Sequence, residues 1–319
     1  NTGVATSVAN GTAQAQATAG GKTGSASVTV DILVASLAVT PDTVVFTRIA
    51  VPRVFTVTAL DANNVPIANA GVSWVSRNTA VVTINGGTAT ASSVADGATY
   101  VVATATSNAA AKDSVLVTVT AVANAVSVSP ASKAFGALGS TQQLTATVKD
   151  SGATAIPGRG VTWSNVTASG KATVNASGLV TSVAVGSETI RASATGPVGP
   201  ITTDVAVTVS QVVLTVTVTS VAGVTPDTLK TTTRTRQFNA AAADSNGNSI
   251  PGATFTWSSN NTPVATVDGN GLATAVSDGT AGIVATAGNG KTGSRNLFVR
   301  RYAETFTLSP ASASISGTP

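Results

Sequence analysis

Apolar and polar residues take turns along much of this chain. Leu144, Ala146 and Val148 alternate with Thr145 and Thr147, and Val161 and Trp163 flank Thr162. Further on, Ile190, Ala192 and Ala194 alternate with Arg191 and Ser193. Val205, Val207 and Val209 alternate with Ala206 and Thr208. A period of two with one apolar face marks a half-buried strand, because successive side chains point to opposite faces. Turn formers separate the runs: Asp150-Ser151-Gly152, Pro157-Gly158, Ser177-Gly178 and Gly196-Pro197. Val and Thr favour pleated sheet, and no segment carries a helical period. The pattern predicts an all-β chain of short strands.

The pattern also repeats. Trp74, Trp163 and Trp257 lie 89 and 94 residues apart. Thirteen residues before each stands an Asp (Asp61, Asp150, Asp244), and seven before each an Ile (Ile67, Ile156, Ile250). A bulky apolar residue precedes each Trp by two: Val72, Val161, Phe255. Gly97, Gly186 and Gly279 each lead an alternating strand, and Pro41, Pro130 and Pro226 open the units. Three complete units follow, 34–121, 122–212 and 213–301. Residues 1–33 read as the second half of a further unit, since GVATSVANGTAQAQAT from Gly3 matches GLATAVSDGTAGIVAT from Gly271. Residues 302–319 read as the first strand of another, since Ser309-Pro310-Ala311-Ser312 repeats Ser129-Pro130-Ala131-Ser132. Together the two ends lack the equivalent of residues 140–175, Trp strand included. The expectation is a window on a longer array that continues covalently; the alternative is completion by neighbouring subunits.

Seven or so short strands in about 90 residues make a two-sheet sandwich. Trp74, Trp163 and Trp257 with Ile67, Ile156 and Ile250 are its expected structural core, and Asp61, Asp150 and Asp244 its turn residues. With no Cys in the chain, packing alone must hold each unit. Burial of a large apolar side chain contributes roughly 1.5–3 kcal/mol, and a domain of about 90 residues folds on that basis.

The residues carry a family resemblance. Leu144 to Val174 reads LTATVKDSGATAIPGRGVTWSNVTASGKATV, followed two residues later by SGLVTSVAVGSETIRASA. The third unit has FTWSSNNTPVATVDGNGLATAV. This combination resembles the bacterial Ig-like group 2 domain, a module found in tandem on bacterial surface proteins and in phage virion proteins. The first unit departs most, with VSRNTAVVTI after Trp74 and a degraded Gly-Leu-Val-Thr equivalent. The resemblance implies tandem Ig-like β-sandwich domains in an extended rod, a surface setting, no enzymatic activity and no cofactor. In adhesive members of the family, recognition usually sits in a separate domain.

Composition narrows the chemistry. Charged residues make up 9% of the chain, against about 25% in ordinary domains. Without His, Cys or Met there is no disulfide, thiolate or imidazole metal site, cysteine nucleophile or histidine base. The two Glu, Glu188 and Glu304, lie in different units, so paired carboxylates for acid–base work are almost unavailable. The net charge of +4 comes from scattered residues. Arg234, Arg236, Arg300 and Arg301 are the densest group, and no basic stripe with stacking aromatics marks a nucleic-acid binder. No run reaches the ~20 apolar residues of a membrane span; Val212 to Val218 is broken by Thr215 and Thr217. Asp244-Ser245-Asn246-Gly247-Asn248 starts like a calcium loop but lacks the later Gly and the bidentate Glu. It reads as a turn, as does Asp268-Gly269-Asn270-Gly271. Sequons at Asn10, Asn165, Asn175 and Asn260 matter only where the source glycosylates its surface proteins. The run Thr231 to Arg236 reads as an exposed edge strand or loop.

The units meet without a spacer: Thr118-Val119-Thr120-Ala121-Val122 leads straight to Val126-Ser127-Val128-Ser129-Pro130. Such connections limit hinge angles. A strand of eight to ten residues is about 26–33 Å long, so three units in line would span on the order of 100 Å. The expected function is that of a non-catalytic extracellular stalk or filament, giving reach and spacing on a cell surface. Its partners are further Ig-like units of the same chain or of neighbouring subunits. One alternative is an adhesin binding a surface glycan or protein, with Tyr302 and Phe306 as the only aromatics off a core phase. The other is a phage tail or capsid decoration fibre in a virion.

Overall fold

The computed structural model describes residues 3–8, 10–86, 90–221, 227–230 and 234–300. It forms two compact units: residues 1–130, 145–164 and 191–204 in one, and 131–144, 165–190 and 205–319 in the other. The division passes through 122–212, so that repeat is described half by half. Among the described residues every regular element is a strand.

In the first unit, residues 34–121 show the sandwich whole. One sheet runs Thr43–Phe46, Lys112–Val119, Gly97–Ala105, Val72–Ser76. Its first pair is parallel and the others antiparallel. The facing layer consists of the pair Ser36–Thr40/Thr56–Leu60 and the triplet Pro52–Val54/Thr90–Ser93/Val82–Asn85. The strands number nine because two runs are broken. Ser36–Thr40 and Thr43–Phe46 pair in different layers. Pro52–Val54 and Thr56–Leu60 pair with different neighbours, and Phe55 between them is 2% exposed. Changing partners mid-run drives Phe55 into the core, where it stacks on Trp74 at a centroid distance of 5.8 Å. The middle repeat breaks in the same phase, at Leu144 between Thr141–Gln143 and Thr145–Lys149. The core continues through Val101, Ala103, Val115, Val117 and Ile67, and takes in Val126, Val148, Ile156 and Ala192. Trp163 packs against it partly buried. Ahead of these strands the hairpin Gly11–Ala19/Lys22–Val30 stands as a two-stranded sheet of its own.

In the second unit, Thr215–Ser220, Thr235–Ala243, Leu272–Ala275 and Ala265–Val267 form one sheet. Thr228–Leu229, Thr292–Val299, Gly279–Ala287 and Phe255–Ser259 form the other. Phe238, Ile283, Ala285 and Leu297 are fully buried between them, with Trp257 partly buried alongside and Ile250 half-buried. From the middle repeat this unit holds Ser132–Phe135, parallel to the end of Pro200–Val209, and the triplet Thr141–Gln143/Leu179–Ser182/Ala172–Val174.

The recurring glycine earns its place by backbone and by space. Gly97 and Gly279 both have φ of 144°, a region that L side chains avoid. A Cβ there would stand 2.9 Å from Val81 Cγ2 at Gly97 and 2.7 Å from Val264 Cγ2 at Gly279. The segment 231–236 divides: 231–233 lie outside the described residues, Arg234 is exposed, and Arg236 is half-buried in its strand. Arg236 and Arg295 flank the buried carboxylate of Asp227, so the exposed-edge reading fails for Arg236. Tyr302, Phe306 and Glu304 lie outside the described residues.

Candidate functional site at the repeat junctions

Asp61, Asp150 and Asp244 occupy the same corner of their repeats. In each, the Asp N–H donates to the carbonyl four residues on: Val65, Thr154 or Asn248. The Oδ1 atom then accepts two backbone N–H groups across the turn. For Asp61 these come from Asn63 and Val65 at 2.8 and 2.9 Å. For Asp150 they come from Gly152 and Thr154 at 2.8 and 3.0 Å, and for Asp244 from Asn246 and Asn248 at 3.0 and 2.9 Å. An acidic side chain that bonds its own backbone in this way fixes a tight connection. Each corner delivers the chain to the next Ile, whose N–H bonds back to the preceding strand: Ile67 to Ala59, Ile156 to Val148 and Ile250 to Ala242.

The second carboxylate oxygen separates the three. Asp150 Oδ2 accepts the N–H of Ile49 at 2.8 Å, across 101 residues. Asp244 Oδ2 accepts the N–H of Leu138 at 2.9 Å, across 106 residues, and the Gln211 amide at 3.1 Å. Ile49 and Leu138 stand in one phase, each 25 residues before its own Trp. So the corner Asp of one repeat caps a loop of the repeat before it. Asp150 and Asp244 are 1% and 2% exposed; Asp61 is half-buried, and among the described residues its Oδ2 has no protein partner. The same phase in the third repeat, Thr232, lies outside the described residues.

Each junction has its own additions. At the first, a Cβ on Gly152 would fall 2.0 Å from Arg48 Nη2, so the absent side chain leaves room for the guanidinium. Beside it, Arg159 joins Asp96 at 2.9 Å and donates to the Ala121 carbonyl at 2.7 Å. Asp96 takes the Ala121 N–H at 2.6 Å. At the second, Asn246 and Asn248 both donate to the Leu138 carbonyl, at 2.7 and 2.9 Å. Thus N–H and C=O of one residue are both held. The donor loop is braced from its own repeat by a buried serine: Ser93 Oγ donates to the Arg48 carbonyl at 2.7 Å, Ser182 Oγ to the Ala137 carbonyl at 2.8 Å. The third repeat has Ala275 at that phase.

The electrostatics follow from these donors. Burial pushes Asp244 up, but the Leu138 N–H, the Gln211 amide and the Asn248 and Asn246 N–H groups outweigh it and bring the carboxyl to about 2. Burial likewise opposes ionisation of Asp150. The N–H groups of Ile49, Thr154 and Gly152 and the Arg48 charge still hold it below the ordinary value. Everything facing the Asp244 carboxylate is an N–H donor, the reverse of the oxygen cage that calcium needs. Asp268 is spent the same way, on the N–H groups of Asn270 and Leu272.

One further buried acid lies in the middle repeat. Glu188, 2% exposed, accepts hydrogen bonds from Thr167, from Ser169 at 2.9 Å and from the Thr189 N–H at 3.3 Å. Burial raises its pKa, and the Thr167 and Ser169 hydroxyls more than offset this, leaving it at about 2. The equivalent positions hold Thr99 and Ala281.

The sequence placed the Asp, Trp and Ile residues by phase but not the use of the second oxygen. The turn needs only Oδ1, and Ile49 and Leu138 look like ordinary strand-end residues. Ser93 and Ser182, polar at a phase where the third repeat has Ala, were the legible signal.

Comparison with known proteins identifies two of the repeats. Residues 121–196 and 217–296 match the bacterial Ig-like domain (group 2), two such domains in tandem. No curated protein sequence matches. Among solved structures, the Escherichia coli adhesin FdeC aligns over 83% of this chain and 96% of its own, at 20% identity and a TM-score of 0.38. Invasin, a bacterial integrin-binding protein, aligns over 91% and 65%, at 18% identity and a TM-score of 0.35. Domains 1–6 of the surface layer protein SbsC align over 93% and 45%, at 18% identity and a TM-score of 0.29. At such identities and scores these likenesses bear on neither ligand nor partner.

Proposed function

We propose that this tandem array of group 2 bacterial Ig-like domains is a non-catalytic spacer in an extracellular surface protein, setting the distance between its base and its working end. The observation that carries the reading is the capped junction. Asp150 and Asp244 each bond the repeat before them, with no Gly/Ser or Pro-rich linker between. A junction fixed through a buried, charge-assisted hydrogen bond resists hinging, which is what a spacer requires.

Changing the number of repeats in the whole surface protein tests this. Removing or duplicating residues 122–212 should shorten or lengthen its reach from the cell surface by about 30 Å, one strand length, with binding at the working end retained. Height is read by atomic force or electron microscopy of cells. An unchanged height overturns the spacer reading. Loss of host binding on removal, with the height change intact, replaces it with the adhesin reading.

A further inference from the structure

The repeat at 34–121 has an outer face unlike those of the other two. Val44, Phe46, Trp74, Val101, Val115 and Val117 point into its core, so their strand neighbours Val45, Val75, Tyr100 and Leu116 point outward. Val45, Val75 and Tyr100 are 61%, 62% and 44% exposed. Register sets Arg77, Tyr100, Leu116 and Thr43 in one row across the four strands. The Arg77 N–H donates to the Tyr100 carbonyl at 2.9 Å, Tyr100 pairs with Leu116, and Leu116 with Thr43. Val45 meets Val54, also exposed, in a depression of about 270 Å³ lined further by Pro41, Thr43 and Arg53. Tyr100 therefore stands off the core phase as well, a place the sequence pattern assigned to Tyr302 and Phe306 alone.

The other repeats are small or polar at these phases. For Val45, Val75, Tyr100 and Val54 the middle repeat has Ala134, Ser164, Thr189 and Gln143, and the third has Thr228, Ser258, Gly282 and Gln237. Both Gln side chains brace their own repeats. Gln143 donates to the Leu144 and Ser177 carbonyls, and Gln237 to the Phe238 and Asn270 carbonyls. The first repeat has an exposed valine in place of that brace. In the middle repeat Arg191 and Asp204 form a bidentate pair at 2.7 and 2.8 Å; at their phases the first has Val102 and Ser114.

Charge on this face is mainly positive. The Arg77 guanidinium lies over the Tyr100 ring, 5.6 Å from its centroid. Lys112 is exposed on the same face, and Arg53 lines the depression. Among the described residues none of the three is in an ion pair. The acids nearest in sequence are Asp42, exposed beside Thr43, and Asp113, whose two oxygens accept the Val39 and Ser114 N–H groups.

We infer that this face docks an acidic protein that also carries apolar side chains. Exposed Tyr and Arg amid aliphatic residues match the composition of protein interfaces, and unpaired cations beside them select a partner of negative charge. A polysaccharide has no apolar side chain to set on Val45, Val54 and Val75. A second copy would bring cations against cations, and the acids of the chain are largely engaged within it. Asp96 pairs with Arg159, Asp204 with Arg191 and Asp227 with Arg295; Asp150, Asp244 and Glu188 hold hydrogen-bond donors. Beyond setting distance, the array thus offers a lateral contact in one repeat.

Selection of a displayed library of random peptides on the 319-residue chain tests this. Selected peptides should combine Asp or Glu with aliphatic or aromatic side chains, and bind more weakly as salt is added. Affinity should fall at least about 10-fold in two variants, as loss of a central interface residue gives. One joins Val75→Ser to Tyr100→Thr, the residues that the middle repeat has at those phases; the other is Arg77→Glu. Ser258→Ala, at the Val75 phase of the third repeat, should change nothing. Circular dichroism checks that each variant is folded, and Arg77→Glu carries the test if the double variant is not. Peptides without acidic enrichment, or peptides that bind the folded variants as they bind the parent, overturn the proposal. Polygalacturonate that binds the parent and not the variants, with no acidic peptide selected, also overturns it and gives the face to an acidic glycan. Self-association of the parent in sedimentation, abolished by the double variant, gives the face to a second copy instead. None of these outcomes touches the spacer reading, which rests on reach.

Discussion

The Asp61 and Asp244 corners have one turn geometry and two fates. Both use Oδ1 to gather two backbone N–H groups, and both lead six residues on to an Ile, buried at Ile67 and half-buried at Ile250. Asp244 is 2% exposed and its Oδ2 holds Leu138 and Gln211; Asp61 is half-buried, and among the described residues only its Oδ1 takes hydrogen bonds. The local sequence that makes a turn therefore does not decide whether its acid is buried. What decides is whether a neighbouring repeat brings a backbone donor in the right phase. A residue conserved in position across the repeats of one chain thus has two roles, one local and always present, one supplied by its neighbour.

Asparagine at these positions sharpens the comparison, because it keeps Oδ1 for the turn and puts an amide NH2 where Oδ2 was. Asp150→Asn should set two donors against each other and cost about 1–3 kcal/mol by chemical denaturation. Asp244→Asn should destabilise in the same sense. Asp61→Asn in the 319-residue chain should stay within about 0.5 kcal/mol, as ordinary surface changes do. Equal effects at Asp61 and Asp150 would reduce all three to turn residues.

Acid offers the next contrast. The folded pKa of Asp244 and that of Glu188 both lie near 2, below the ordinary carboxylate values of about 4. A depressed pKa stabilises the fold above the unfolded value, and that contribution is lost as pH falls through the folded one. Stability should therefore drop between about pH 4 and pH 2, followed by circular dichroism. Glu188→Gln and Asp244→Asn should each flatten part of that fall; an unaltered slope in both would remove these acids as its source.

Smaller effects come from the braces. Ser182→Ala should cost about 1 kcal/mol, since it strips the Ala137 carbonyl and the Ser140 N–H of a shared partner. Asn248→Ala should cost about 0.5 kcal/mol, because Asn246 still reaches the Leu138 carbonyl. A larger loss for Asn248 than for Ser182 would shift the weight of the junction from the donor loop to the turn.

Much of the fold was legible because it rests on period. Strands written as alternation appear as strands, and Ile190, Ala192, Val205 and Val207 are buried while Ala206 and Thr208 are exposed. The strand break at Phe55 and Leu144 was not legible. An alternating run pairs equally well along its length, and only the facing layer sets where it changes partner. Nor were the unequal Trp environments: Trp74 is 9% exposed and stacked on Phe55, while Trp163 and Trp257 are partly buried. Of the junction, the sequence showed the acid and its phase. It could not show the donor, a backbone N–H that any residue carries.

Glu188 has a consequence for how similar neighbours stay apart. Tandem domains with related sequences can exchange segments as they fold. Position 188 works against this, since its equivalents are Thr99 and Ala281. A hairpin from either neighbour placed in the middle repeat would leave Thr167 and Ser169 without their acceptor. The Glu188 hairpin placed in a neighbour would bury a carboxylate with no hydroxyls prepared for it, a strongly unfavourable arrangement. One acid hidden in one repeat thus acts as an address, sorting each half-domain to its own partner by the penalty for a wrong match.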